Sequence, residues 1–157
     1  MTDIRSLLVG AVCTAVFLQP TAGIVFTTDT FVINFQKEEM LISLHSFSLV
    51  RLLVSGRVQY TVTDHCLNTR GSYRKSGQKK LSSVTFPKLK NAIIGHAVVD
   101  AVMMEDRDIV IEFDNAAKLH FVVDTSAVGE DEEVHRIITK KEPQKKNCPS
   151  EHTVITK

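Results

Sequence analysis

A chain of 157 residues is one domain's worth and long enough to bury a sizeable core. With 43% apolar and 24% charged residues and a net charge of +1, it carries no global field aimed at nucleic acid, a membrane surface or an acidic substrate. Its three cysteines, Cys13, Cys66 and Cys148, form no Cys-x-x-Cys pair, which argues against a disulfide framework or structural zinc and for a reducing, cytoplasmic setting.

The first segment, Leu7 to Leu18, is apolar, follows Arg5 and precedes Pro20-Thr21-Ala22-Gly23. That is the outline of a secretory signal peptide over residues 1–22, and it keeps a secreted alternative open. Two features oppose it. Asp3 cancels the charge of Arg5, and the same pattern recurs in mid-chain, where a signal has no place.

The recurrence pairs Leu8-Val9-Gly10 with Ile93-Ile94-Gly95. Without a gap, Cys13 then meets Val98, Phe17 meets Val102 and Leu18 meets Met103. One insertion of seven residues near Pro20–Gly23 brings Phe31-Val32-Ile33-Asn34-Phe35 onto Ile109-Val110-Ile111-Glu112-Phe113, with Leu41 on Leu119 and Ser43 on Phe121. Alternation puts Phe31, Ile33 and Phe35 on one strand face, and Ile109, Ile111 and Phe113 likewise. Each copy, about 7–47 and 92–125, reads as a three-stranded meander that buries its apolar face only against the other. The expected fold is mainly β, with α+β as the variant: two similar meander halves packed as a sandwich or partly open barrel, in one domain over residues 1–141.

Between the copies, Leu49–Val54 extends the first sheet or forms a short helix, and Arg57–Thr63 alternates as a strand. Residues 64–90 then read as a basic, loop-like linker with Gly71, Ser72, Ser76 and Gly77. Arg70, Arg74, Lys75, Lys79, Lys80, Lys88 and Lys90 lie there, and no acid stands between Asp64 and Asp100. Such a stretch is a phosphate or nucleic-acid contact with Tyr73 and Phe86 as stacking faces, a surface for an acidic protein, or a solvated loop. After the second copy comes the acidic run Glu130-Asp131-Glu132-Glu133, then a short strand or helix over 131–138. Residues 142–157, with Pro143 and Pro149, read as a mobile tail.

No catalytic set emerges. His65 and Cys66 are adjacent, and neighbours on a strand face opposite ways. The six histidines lack metal-site spacing, so no metal and no cofactor is expected. Asp106, Asp108, Glu112 and Asp114 stand at even spacing, which puts them on the solvated face of a strand opposite Ile109, Ile111 and Phe113. A divalent-cation site is the sharper alternative for them, but the EF-hand ligand order is missing.

The segment Ala92–Val123, with Ile93-Ile94-Gly95, Asp108-Ile109-Val110-Ile111-Glu112-Phe113 and Lys118-Leu119-His120-Phe121, resembles small bacterial immunity proteins that neutralise polymorphic or contact-delivered toxins. Those proteins share an apolar-Gly start, a strand, a Phe-x-Asn-Gly turn and a returning strand; here Ala116 stands where the Gly falls. The match covers about a fifth of the chain, or about half with the first copy, and transfers no functional residue. It implies a non-catalytic inhibitor that binds a cognate toxin, such as a nuclease, without nucleic acid or membrane as partner. Asp106, Asp108, Glu112, Asp114 and Glu130, Asp131, Glu132, Glu133 are then the expected contact surfaces for a basic partner. The alternative is a nucleic-acid-binding domain that uses Arg70, Arg74, Lys75, Lys79 and Lys80.

Overall fold

A computed structural model of the chain describes residues 3–19, 30–123 and 135–141. In chain order these form α1 (Ile4–Leu8), β1 (Val12–Gln19), β2 (Thr30–Lys37), β3 (Met40–Ser46), β4 (Leu49–Val54), β5 (Arg57–Thr61), a 3₁₀ turn (Val62–His65), α2 (Ser82–Ile93), β6 (Val98–Met103), β7 (Ile109–Phe113), β8 (Lys118–Val122) and β9 (His135–Lys141). Alternation drives the strands. Phe31, Ile33, Phe35, Ile109, Ile111, Phe113, Leu119 and Phe121 all turn inward and are fully buried. They meet between two antiparallel sheets, ordered β1-β2-β3-β9 and β5-β4-β8-β7-β6, which pack as a sandwich. Phe31 of the first sheet and Phe121 of the second touch edge to face at 5.8 Å.

The two sheets join where β1 meets the start of β6, and the joint is reciprocal. Gly10 N–H donates to Val98 O and Gly95 N–H to Cys13 O, both at 2.8 Å. Cys13 N–H donates to His96 O and Val98 N–H to Ala11 O, around the bridge Val12–Ala97. Each bond maps onto its mate when 85 residues are added, the offset from Gly10 to Gly95. The same offset carries buried Ile4 and Leu8 of α1 onto buried Leu89 and Ile93 of α2. It also carries the bulge between Cys13 and Ala15 onto that between Val98 and Asp100. Gly10 and Gly95 have φ of +84° and +85°, a conformation that side-chain-bearing residues rarely adopt.

The one-insertion alignment holds through the second strand, and the repeat departs from it at the third. Phe35 pairs with Ile42, whereas Phe113 N–H donates directly to Ala117 O, so the second hairpin is tighter. Leu44, not Leu41, therefore occupies the place of Leu119, and Ser46 that of Phe121. The repeat also has a fourth strand, and it changes sides. β4 leaves β3 and pairs with β8, and β9 leaves the second sheet to pair with β3. Leu49–Val54 thus neither extends the first sheet nor forms a helix. The basic linker is not all loop either: residues 82–93 are helical with Pro87 inside, and the helix opens with bonds from Val84 and Thr85 N–H to Leu81 O. The mobile-tail expectation for 142–157 lies outside the described residues.

The signal-like segment supplies α1 and β1, with Ile4, Leu8, Ala11, Cys13 and Val16 in the core. Deleting residues 1–22 is expected to abolish the cooperative urea transition, because several deleted core side chains each carry about 2–5 kcal/mol. A truncated chain that retains that transition would be the contrary result. Ala116 holds a φ of +63° in the β7–β8 turn. Ala116→Gly is expected to raise stability by about 0.5–1 kcal/mol, while Gly10→Ala and Gly95→Ala each lower it by about 1–2 kcal/mol, as measured by urea denaturation.

Candidate functional site

The evenly spaced acids do not form one solvated face. Asp108 is only 8% exposed. Its carboxylate accepts Val123 N–H at 2.7 Å and His120 Nε2–H at 3.0 Å, so it ties the β6–β7 turn to β8. Asp106 sits in that turn and accepts Asp108 N–H. Glu112 does point outward, where it pairs with Lys118 across the ladder at 2.9 Å. Asp114 lies past the far end of β7, bonded to His96 Nδ1 at 2.6 Å and to Ala97 N–H. The His96 hydrogen bond holds the Asp114 carboxyl below the usual carboxylate range. The strand is short, so its flanking acids belong to turns, and turn acids bond backbone N–H groups. Glu130, Asp131, Glu132 and Glu133 lie outside the described residues.

Asp108 belongs to a polar network at the strand exchange. His135, on β9, donates from Nε2 to Arg107 O at 3.0 Å. A carbonyl only accepts, so the proton sits on Nε2 and Nδ1 accepts from Ser46 Oγ, also at 3.0 Å. Ser46 Oγ in turn meets Ser48 Oγ at 2.7 Å. Ser46 and Ser48 are buried, so this serine–histidine pair holds the crossing chain together and offers no open nucleophile. Burial draws the His135 imidazole below its ordinary value.

His65 and Cys66 also differ from the strand reading. His65 lies in the 3₁₀ turn, where Tyr60 Oη and His65 Nε2 are 3.0 Å apart and Phe86 packs edge-on to the imidazole. Burial pushes the Tyr60 phenol far up. Cys66 is the exposed thiol and Cys13 the buried one, pushed up to about 12 by desolvation. Phe86 is committed to Tyr60 and His65, with Lys90 Nζ 5.1 Å from its ring centre, so it is not a free stacking face. Among the described residues no group of three metal-capable side chains converges, and no helix is long and apolar enough to cross a membrane.

The basic stretch, in contrast, is built to face outward. Residues 66–81 fold around two amides. Asn68 Oδ1 accepts from Arg70 N–H at 2.9 Å and Ser72 N–H at 3.2 Å, and Asn68 Nδ2 donates to Gln78 Oε1 at 3.1 Å. Gln78 Oε1 also accepts from Lys75 N–H at 3.0 Å. Backbone bonds from Arg74 N–H to Cys66 O and from Leu81 N–H to Leu67 O close the loop at its base. Gly71 and Gly77 make the turns at φ near +80°. The frame is ordered, yet Arg70, Arg74, Lys75, Lys79 and Lys80 are all exposed, and none forms a salt bridge among the described residues. Tyr73 is 82% exposed, and forgoing burial of a large ring costs about 1.5–3 kcal/mol. The sequence shows these charges but not the Asn68–Gln78 frame, since isolated amides carry no spacing signal.

Asp108→Ala is expected to lower stability by about 2–3 kcal/mol, since it orphans buried donors, whereas Glu112→Ala changes it by less than about 1 kcal/mol. Because the folded chain holds His135 below the ordinary imidazole value of 6.5, the unfolded chain takes up its proton first as pH falls. The His135 contribution is therefore full above that value and declines below it, and His135→Gln should flatten this part of a urea-midpoint profile between pH 7 and 5. Asp114 acts in a lower window: its contribution is present above 3.8 and is lost as pH falls further.

Set against known proteins, no family model, no curated protein and no solved structure matches the chain.

Proposed function

We propose that the protein is a binding module that engages a nucleic-acid backbone through the loop of residues 66–81. The observation that carries this reading is a hydrogen-bonded frame holding five exposed cations that form no salt bridge among the described residues. Isolated solubility lysines need no such frame. Fixed backbone geometry instead lowers the ordering cost of gripping a charged chain. Lys88 and Lys90 on α2 extend the cationic stretch, and Asp64, the acid that precedes it in sequence, is turned inward to cap the 3₁₀ turn. This reverses the order of preference drawn from sequence alone, because three of the four β7-flanking acids are engaged with neighbouring backbone or imidazole groups and the fourth with Lys118.

Labelled oligonucleotides are expected to bind at low salt, with a slope of log K against log salt of about −3 to −4, as five phosphate contacts on a single strand require. Replacing Arg70, Arg74, Lys75, Lys79 and Lys80 with Ala should abolish that binding with the urea midpoint unchanged. Absence of binding at low salt, or indifference to the five substitutions, would overturn the reading.

A second reading, the toxin inhibitor implied by the resemblance to immunity proteins, is favoured by a different feature. β6 ends the second sheet, and Val99, Val102, Met103 and Met104 stand exposed on and beside it. An apolar edge of this kind suits a partner strand. On this reading Val102→Lys should reduce co-purification of a single stoichiometric toxin, and unchanged recovery would remove the edge from consideration.

A further inference from the structure

We infer that the loop selects unpaired bases, with Tyr73 as the stacking platform, an inference that rests on the nucleic-acid reading above. Tyr73 is the most exposed of the large apolar side chains among the described residues. Its backbone is held on both sides: Tyr73 bridges Leu67, Arg74 N–H donates to Cys66 O at 3.0 Å, and Ser72 N–H reaches Asn68 Oδ1 at 3.2 Å. The ring is therefore presented from a fixed base and not from a slack loop tip. Arg70, Arg74 and Lys75 neighbour it in sequence, are exposed and belong to the same frame, which supplies cations for the phosphates of a strand whose base stacks on the ring. A duplex offers phosphates but hides its base faces, whereas a single strand offers both. The cations alone therefore bind either form, and the ring contributes only to the unpaired one.

The test uses the full chain with oligo-dT DNA, oligo-U RNA, a duplex of matched length and heparin. Tyr73→Ala should weaken binding of both single strands by about 5- to 150-fold, the range expected for loss of one stacked base. It should leave duplex and heparin affinities and the salt slope unchanged, and Tyr73→Phe should restore single-strand affinity. A direct signal is available because Trp is absent and the other tyrosine, Tyr60, is buried. Stacking should quench tyrosine emission with single strands and not with duplex or heparin, and Tyr73→Phe should remove the quench while keeping affinity. Equal weakening for single strand, duplex and heparin, or single-strand binding indifferent to Tyr73→Ala, would overturn the stacking role while leaving the cationic reading in place. No binding of any nucleic acid at low salt would overturn both. Equal affinity for DNA and RNA is expected, since a ring reads a base face and not the 2′-hydroxyl.

Discussion

Two edge strands meet at one bridge, Val12 with Ala97, and the sandwich is organised around that joint. Four backbone hydrogen bonds surround it in reciprocal pairs, and each of its outer bonds is donated by a glycine with positive φ. A side chain at either glycine would disfavour the backbone turn that aims its N–H at the opposite strand. Because the pairs are reciprocal, the halves are held at one relative angle. The buried faces of β2 and β8 can then close on each other with Phe31 against Phe121. Hydrophobic burial drives the closure, but it is non-directional, and the joint chooses the register.

The exchange of fourth strands follows from the same arrangement. Each meander ends beside the open edge of its partner's third strand, and crossing over pairs backbone groups that would otherwise lie along a bare edge. The crossing brings Ser46, Ser48, Asp108, His120 and His135 to one end of the sandwich, partly or fully buried. Every buried side-chain polar atom among the described residues has a partner. A satisfied network of that kind pins the crossing in place, and it uses the neutral form of the His135 imidazole, which burial favours.

Charge is distributed unevenly relative to this frame. The described acids near β7 hold turns, a neighbouring strand or an imidazole. The cations between the copies sit on an insertion that follows β5, outside the repeated unit, with an amide frame of its own. A near-neutral chain therefore presents a local cationic surface, with no salt bridge to its five loop cations among the described residues.

What was legible in the sequence was local and periodic. The alternation of Phe31, Ile33 and Phe35 and of Ile109, Ile111 and Phe113 marks inward faces because side chains on a strand have a period of two. The mainly β class and its two packed antiparallel sheets follow from that, and the Gly10 and Gly95 positions could be matched because each opens an apolar segment. The basic run was equally visible as composition. Tertiary structure decided the rest. It sent β4 and β9 to opposite sheets, shifted the third strand by tightening one hairpin, and turned Asp108 inward. It kept α2 helical through Pro87 and left Tyr73, not Phe86, in solvent. These outcomes depend on which edges and cavities lie near in space, and a one-dimensional period carries no information about neighbours distant in the chain.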